Sequence, residues 1–363
     1  MAMLHGGDAA PIRVGVLNDL ADGPSTDITA GGGLEHYLRV AADEVRATGR
    51  LDRDVEFVTA YGLGLPRGTA AAIEHAYAEL VAQDVLVIVG PAIGDNALVA
   101  TPLADAARVP TIHWAGTGKA RSEWMFHLQV GSHEDEATVL VRHLVANGAR
   151  SVGLVYDRSP IGKRYAAYLE SECEVHGLDI TARRSVSPVV SDASAEVRAV
   201  MGTAPDALVY LGLGLSGRAV AVAKRDAGWD APACMNSAGM FGHSPEVGAD
   251  LDGWTYVDMY SDTNTTLAAL RGRLGPDHAP ERAGASPAYG YDLGQLVAEG
   301  LARAPELTRT GVRDGLELIK WVPAAEGHEG TMLSFGTQDR GALHGRYLVL
   351  RRWDRGRSVE IDH

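Results

Sequence analysis

The strongest constraint in this sequence is the regular alternation of strand patterns and helix patterns along most of the chain. The short apolar segment 12–17 is followed by helical spacing over 34–48, and the same order repeats through residue 114. The run of five apolar residues at 85–89 is typical of a parallel strand that is covered on both faces. Repeated strand–helix units with buried strands predict an α/β fold with a doubly wound parallel sheet.

The same rhythm restarts near Gly131, so the chain contains two such arrays of similar size. In the second array, Ser132 begins a helix, and strands are predicted at 152–156, 180–186, 207–211 and 233–236. Further along, a helix is predicted at 289–304. The chain is expected to finish in a hairpin-like pairing of 332–335 with 347–353.

Composition limits the class of protein and of partner. A length of 363 residues suffices for about two to three domains with a sizeable core. Lys and Arg number 33 against 47 Asp and Glu, a net charge of −14, which argues against a nucleic-acid or anionic-membrane partner. No apolar run approaches the ~18 residues of a membrane helix, so no membrane span is expected.

The cysteines and the first residues leave the compartment open. Cys173 and Cys234 lack zinc-site spacing, and two buried free thiols are favoured over a disulfide. The first eight residues show neither the basic nor the apolar region of a signal peptide. The chain is therefore either cytoplasmic or a trimmed form of an exported protein.

Three local motifs suggest chemistry, but each has a structural explanation. Residues 212–217 spell GxGxxG between a strand and a helix, yet no acid follows at the tip of the next strand, so a glycine turn is favoured over a dinucleotide site. Residues 116–119 resemble half of a phosphate loop, but His113 stands where that motif requires glycine. The acids of 133–136 fit the first turn of a helix and cannot converge on one metal ion.

No catalytic set, metal or cofactor is predicted. There is no Gly-x-Ser-x-Gly elbow, and no histidine pair has metalloprotease spacing. An enzyme on a similar α/β frame stays open as an alternative. Its candidate residues are Asp19, Asp95, His113 and Asp157, which lie near the predicted strand ends.

Small residues and helix starts recur where the predicted strands end. Ligands of open α/β sheets bind beyond the carboxyl ends of the strands. Two arrays facing each other would form a cleft whose walls offer backbone N–H groups to a polar or anionic small molecule. These strand ends lie at 18–19, 92–95, 114–117, 159–162, 213–215 and 237–238.

Taken in order, several segments resemble the type I periplasmic-binding-protein family, in its branched-chain amino acid and amide receptor branch. They include 14–17, 33–45, 85–91, 108–117, 155–162, 288–292 and 330–335. The resemblance implies two α/β lobes joined by three hinge crossings, with 10–128 and 258–330 in lobe 1 and 129–257 and 331–363 in lobe 2. It implies a receptor that is not an enzyme, closes on a small ligand and serves an ABC transporter permease. An exported protein is the commoner case for this family, and a cytoplasmic sensor of the same fold is the alternative.

Positions carried over from the family place the ligand site at the strand ends, with departures in both lobes. The family's carboxylate-binding serine corresponds to Gly94–Asp95, and the acid that pairs with an amino group falls near Ser237–Ala238, where the sequence has none. A buried ammonium without a counter-charge is costly, so a standard amino acid is disfavoured. An aromatic acid, an amide or a larger apolar metabolite is expected instead. The predicted ligand-binding residues are Asn18, Asp19, Ile93, Gly94, Asp95, Trp114, Ala115, Gly116, Thr117, Ile161, Leu213, Gly214, Leu215, Ser237, Ala238 and Met240.

Overall fold

The computed structural model describes residues 10–26 and 33–361, which form two compact units. Unit 1 comprises the described residues up to Gln129 together with Ala288–Ala324 and Met332–His344. Unit 2 comprises Val130–Pro287, Ala325–Thr331 and the described residues from Gly345 onward. The chain therefore passes between the units five times, and the two passages beyond the expected three bracket the short segment Ala325–Thr331.

The unit boundaries differ from the expected lobes in three segments. Residues 258–287 and 325–330 belong to unit 2, although lobe 1 was expected to contain them, and 332–344 belong to unit 1 rather than lobe 2. The first difference has a local cause, because 258–287 packs within unit 2. Gly284, for example, approaches the ring of His243 so closely that a Cβ atom there would lie 2.6 Å from it.

Unit 1 is built on a five-stranded parallel sheet with the order β2-β1-β3-β4-β5. The register places Val14 of β1 beside Phe57 of β2 on one side and Val87 of β3 on the other. A small antiparallel sheet of order β11-β12-β13 completes the unit. The strands are β1 (Ile12–Asn18), β2 (Val55–Tyr61), β3 (Val87–Val89), β4 (Thr111–His113), β5 (Met125–His127), β11 (Val322–Pro323), β12 (Met332–Leu333) and β13 (Leu343–His344).

The helices of unit 1 bury an aliphatic face, as their spacing predicts. Helix α11 packs closely on α1, because a Cβ at Gly294 would lie 2.7 Å from that of Ala41. Glycine there allows the two helix backbones to approach. The helices are α1 (Leu34–Ala47), α2 (Ala70–Ala82), α3 (Gly94–Ala107), α11 (Ser286–Arg303), which begins two residues before this part of the unit, and α12 (Arg309–Glu317).

Unit 2 contains a seven-stranded sheet with the order β15-β14-β10-β9-β8-β6-β7. The neighbouring strands β7, β6, β8, β9 and β10 pair in parallel. Strands β14 and β15 extend the sheet beyond β10 and pair antiparallel. The strands are β6 (Ser151–Asp157), β7 (Asp179–Val186), β8 (Ala207–Leu211), β9 (Ala233–Met235), β10 (Thr255–Asp258), β14 (Val349–Asp354) and β15 (Arg357–Glu360).

Two helices of unit 2 begin at serine caps, of which the sequence analysis predicted the one at Ser132. The Ser132 hydroxyl accepts a hydrogen bond from the amide of Asp135, and the Ser159 hydroxyl accepts one from that of Gly162. The helices are α4 (His133–Ala146), α5 (Pro160–His176), α6 (Ser194–Met201), α7 (Gly217–Asp226), α8 (Pro245–Gly248), α9 (Thr265–Leu274) and α10 (Pro280–Ala283).

The predicted hairpin of 332–335 with 347–353 does not form. Strand β12 pairs with β11 and β13, while β14 pairs with β10 and β15. The turn that decides this is Arg355–Gly356, in which both residues have a positive φ that reverses the chain directly after β14. The prediction overlooked this turn because it read the glycines between 336 and 345 as the turn instead.

Both cysteines are buried free thiols, as expected. Burial raises the pKa of the thiols of Cys173 and Cys234 to about 12, so both stay protonated and unreactive at neutral pH. Among the described residues, no helix combines the length and the apolar character needed to cross a bilayer.

Candidate functional site

At the carboxyl edge of the unit 1 sheet, Asp19 connects the end of β1 to the start of α3. Its buried carboxylate accepts hydrogen bonds from the amides of Ala92 (2.8 Å) and Ile93 (3.0 Å) and from the side chain of Asn96 (2.8 Å). Burial raises the pKa of Asp19, and these hydrogen bonds oppose the rise. The carboxylate therefore organises the loop before α3. The neighbouring Asn18 similarly accepts a hydrogen bond from the amide of Leu20 (3.0 Å).

The loop before α3, which Asp19 organises, contains or leads into the next three predicted ligand-binding residues. Ile93 is the residue before α3, Gly94 is its first residue and Asp95 lies in its first turn. Ile93 and Asp95 are half-buried, whereas Gly94 is buried. The carboxylate of Asp95 lies in the first turn, where its charge complements the helix dipole.

The segment after β4 contributes an aromatic surface. The half-buried indole of Trp114 stacks on the phenol ring of Tyr289, with ring centroids 5.0 Å apart and planes inclined by 15°. Gly116 is half-buried beside it. Tyr289 comes from α11, far away in sequence, and the sequence analysis did not identify it.

Ala115 and Thr117 are fully buried, so Trp114 and Gly116 supply the accessible surface of this segment. The Thr117 hydroxyl accepts a hydrogen bond from the amide of Lys119 (3.3 Å) and caps a short 3₁₀ helix, Gly118–Ala120. The carbonyl of Ala115 is hydrogen-bonded to His127. These hydrogen bonds to Lys119 and His127 fix the backbone of the segment.

In unit 2, the carboxylate of Glu136 lies at Ser237, the position where the sequence analysis expected no acid. Oε2 accepts a hydrogen bond from the Ser237 amide (2.6 Å). Oε1 accepts hydrogen bonds from the Ser132 amide (2.7 Å), the Tyr165 hydroxyl (2.9 Å) and the Ser237 hydroxyl (3.2 Å). The ring of His133 lies over Tyr165, with centroids 4.4 Å apart. Glu136 and its neighbours thus form a buried polar cluster at the end of β9.

The sequence analysis missed Glu136 because it treated the acids of 133–136 as one exposed first turn. A signal was present: Glu136 shares a helix face with Leu140 and Leu144, both of which are buried. An acid on the apolar stripe of a helix needs partners inside the protein. Tyr165 and Ser237, which supply them, come from other elements.

Burial raises the pKa of Glu136 to about 7, against hydrogen bonds from Ser237, Ser132 and Tyr165 that lower it. In the unfolded chain the Glu136 carboxyl has its ordinary pKa of 4.5, so it loses its proton at a lower pH than in the folded protein. The folded protein is therefore most stable, as far as Glu136 is concerned, below pH 4.5, and this stability is lost as the pH rises through 7. Glu136→Gln cannot titrate at this position. As the pH rises from 4.5 to 8, we expect its free energy of unfolding to increase by about 3 kcal/mol relative to that of the unmodified protein. Urea unfolding at stepped pH measures this difference.

The control for this prediction is Glu134→Gln, two residues earlier on the same helix. Glu134 is half-buried and accepts a hydrogen bond from Tyr168 (3.0 Å). Its variant should show the same pH profile as the unmodified protein. Parallel profiles for Glu136→Gln and the unmodified protein would contradict the proposed titration.

The GxGxxG segment is held by a carboxylate and not by a phosphate. Asp157, fully buried at the end of β6, accepts hydrogen bonds from the Leu213 amide (2.8 Å), the Tyr210 hydroxyl (2.9 Å) and the Ser216 hydroxyl. The side chain of Asn236 bonds both the amide and the carbonyl of Gly212. An internal anion at these amides opposes a dinucleotide phosphate, in keeping with the glycine turn that the sequence analysis favoured.

The remaining predicted residues of unit 2 have different exposures. Leu213, Leu215, Ser237 and Met240 are half-buried at the strand ends, whereas Ala238 is buried. Ile161 is only 1% exposed in the first turn of α5, so its side chain belongs to the core.

Gly214 has a φ of +92°, and a Cβ there would lie 2.5 Å from the ring of Phe241. The Gly214 backbone therefore lies directly against that aromatic ring. Phe241 is itself 45% exposed, and the sequence analysis did not identify it.

Three of the four residues suggested for an enzyme have structural roles, and Asp95 is the exception. Asp19 and Asp157 are buried hydrogen-bond acceptors, as described above. His113 is fully buried and stacks on His127 at 4.2 Å, and burial with the nearby Arg121 lowers its pKa to about 3. In residues 10–26 and 33–361, no group of three or more His, Cys, Asp or Glu side chains is placed to hold a metal ion.

Comparison with known proteins defines the class. The model of the periplasmic binding protein family matches residues 11–354, so the chain belongs to that family. A comparison with curated protein sequences gives no significant match.

Solved structures show the same fold at low sequence identity. A leucine-binding protein from Thermotoga maritima has a TM-score of 0.81 at 15% identity, covering 97% of this chain and 98% of its own. A type 1 periplasmic binding protein from Bordetella pertussis has a TM-score of 0.80 at 16% identity, with coverages of 97% and 100%. An ABC transporter substrate-binding protein from Desulfitobacterium hafniense, solved with Leu, has a TM-score of 0.77 at 17% identity and the same coverages. These similarities establish the type I periplasmic-binding-protein fold.

Proposed function

We propose that this protein is an extracytoplasmic solute-binding receptor that captures a small molecule for an ABC-type permease. Membership of the periplasmic binding protein family supports the receptor class. In each unit the ligand-contacting residues that we propose lie at the carboxyl ends of the parallel strands. They are the half-buried Ile93 and Asp95 in unit 1, and the half-buried Leu213, Leu215 and Ser237 in unit 2.

The ligand that we propose contains an aromatic ring or an amide. The observation that carries this is the stacked pair of Trp114 and Tyr289 directly after β4. One face of this half-buried indole is already stacked on Tyr289, which restricts the rotation of its side chain. A ligand ring can stack on the accessible surface of the indole with little further loss of side-chain entropy. The half-buried Leu213 and Leu215 and the exposed Phe241 of unit 2 add apolar surface at its strand ends.

A standard amino acid stays disfavoured in this proposal, but for a new reason. The earlier argument, that no acid lies near Ser237, is wrong, since Glu136 is there. However, protein donors already occupy both oxygens of Glu136, as described above, and its pKa of about 7 leaves it partly protonated at neutral pH. Such a group is a weak partner for an ammonium ion, which needs a full counter-charge when it is desolvated.

Nothing in this proposal requires turnover. The buried acids Asp19 and Asp157 are used to hold loops, and His113 is kept neutral by burial. We propose a purely binding role, in which closure on the ligand is the functional step.

A thermal-shift panel tests the ligand class. The panel pairs each aromatic carboxylate with its amide and with a saturated ring analogue, and it includes leucine and valine. A ligand present at a hundred times its Kd stabilises the native state by about 2.7 kcal/mol, a measurable rise in Tm. We expect shifts with aromatic acids or amides and none with leucine. A shift with leucine or valine alone would overturn the ligand class while leaving the receptor class intact.

A further inference from the structure

Unit 2 contains a groove that is separate from the strand ends described above. It has a volume of about 640 Å³, within the range of small-molecule sites. One wall is a face of α4, and the other is the extended segment 345–348 that leads into β14. We call it the α4 groove, and it is lined by Asp135, Thr138, Val139, Arg142, His143, Ala146, Gly345, Arg346, Tyr347 and Leu348.

The α4 groove is closed at one end by a hydrogen bond between its two walls. The Tyr347 hydroxyl donates to the carboxylate of Asp135, which also accepts a hydrogen bond from the Ser132 hydroxyl (2.9 Å). The acid that lines the groove is therefore already engaged by two hydroxyl donors. It does not serve as the counter-charge of an arginine.

Two arginines, one on each wall, line the α4 groove without a counter-charge. Within the described part of the chain, the guanidinium groups of Arg142 and Arg346 form neither an ion pair nor a hydrogen bond. Some other arginines of this unit do form ion pairs, as Arg218 and Arg225 do with Asp250. In a chain of net charge −14, two cations on one groove favour an anionic ligand at that place.

The rest of the groove lining is largely apolar. Val139 and Leu348 are half-buried and face the space from opposite walls, beside the ring of Tyr347. An apolar floor flanked by guanidinium groups is complementary to a molecule with an apolar body and a carboxylate, because arginine binds carboxylates through two parallel hydrogen bonds.

We propose that the α4 groove is a second binding site, for a free amphipathic carboxylate. The apolar body of this ligand lies along Val139 and Leu348, and its carboxylate is held by Arg142 and Arg346. A membrane surface is the less suitable partner, since the net charge of −14 repels anionic lipid. The site is independent of the ligand proposed for the strand ends.

The test uses octanoate as the probe and 1-octanol as its uncharged counterpart. Binding to the full chain is followed by NMR of isotope-labelled leucine and valine methyl groups. We expect octanoate, below its micellar concentration, to shift the methyl signals of Val139 and Leu348. We expect 1-octanol to bind at least about tenfold more weakly, because it lacks the charge that the arginines recognise.

Variants assign the recognition to the two arginines. The double variant Arg142→Gln with Arg346→Gln should weaken octanoate binding by at least about tenfold. Arg198→Gln, an exposed arginine on α6 outside the groove, should leave it unchanged. A thermal melt of each variant checks that the fold is retained.

Four results would overturn the proposal. The first is the absence of octanoate-dependent shifts at Val139 and Leu348. The second is equal affinity for octanoate and 1-octanol, and the third is an octanoate affinity that the double variant leaves unchanged. The fourth is binding to anionic vesicles that depends on both arginines while octanoate does not bind, which would assign the groove to a lipid surface.

Discussion

Replacing Asp157 by alanine is expected to lower the free energy of unfolding of unit 2 by about 2–4 kcal/mol. The buried carboxylate accepts hydrogen bonds from the Leu213 amide, the Tyr210 hydroxyl and the Ser216 hydroxyl. Alanine removes all three acceptor contacts, and donors left without an acceptor inside a protein carry their full desolvation cost. Urea unfolding, combined with hydrogen exchange of the amides of 212–217, measures both the global loss and the local loosening.

Asp157→Asn is the matched control for this prediction. Asparagine keeps the size of the side chain, its oxygen can accept from Leu213, and the two hydroxyls can rotate to accept from its amino group. We therefore expect Asp157→Asn to retain most of the stability that alanine loses. A loss below about 1 kcal/mol for Asp157→Ala would show that water replaces the carboxylate and that the loop is not organised by it.

The second large effect concerns the ligand. Trp114→Ala is expected to weaken binding of an aromatic ligand from the thermal-shift panel by about 10- to 100-fold, through loss of stacking and of buried apolar area. Trp114→Phe should lose less, since a ring remains to stack against Tyr289 and the ligand. Isothermal titration of each variant gives the affinities.

Trp321→Ala provides the control, because Trp321 lies in the same unit, is 64% exposed and does not follow a strand of the five-stranded sheet. This variant should bind the ligand as the unmodified protein does. Unchanged affinity in Trp114→Ala would remove the aromatic pair from the proposed site. It would leave the family assignment untouched, since that assignment depends on the whole chain.

The sequence predicted most elements because hydrophobic periodicity and caps are local signals. The buried strand pattern of β3 and the cap at Ser132 agree with the structure. The helices α9 and α12 were not predicted, although each begins after a capping side chain, Asn264 and Thr308. The closing hairpin was misassigned because two glycine-containing turns compete there, and only strand pairing decides between them.

The candidate site was less predictable, because its partners are brought together from distant parts of the chain. Glu136 and Ser237 are 101 residues apart in sequence. Trp114 follows β4, whereas Tyr289, on which it stacks, belongs to α11. Asp19 was predicted to face a ligand, whereas the structure uses it to hold the loop before α3. No periodicity tells a buried acid that organises a loop from one that contacts a ligand.

By itself, the sequence determined the α/β class, the two arrays, the acidic surface and the family resemblance, because these depend on spacing and composition that can be read along the chain. Only the tertiary structure decided that Glu136 supplies an acid at Ser237, that Tyr289 supports Trp114, and that 258–287 belongs to unit 2. Each of these depends on a close contact between residues far apart in sequence. Such contacts are selected by packing and by the cost of leaving a buried polar group unpaired.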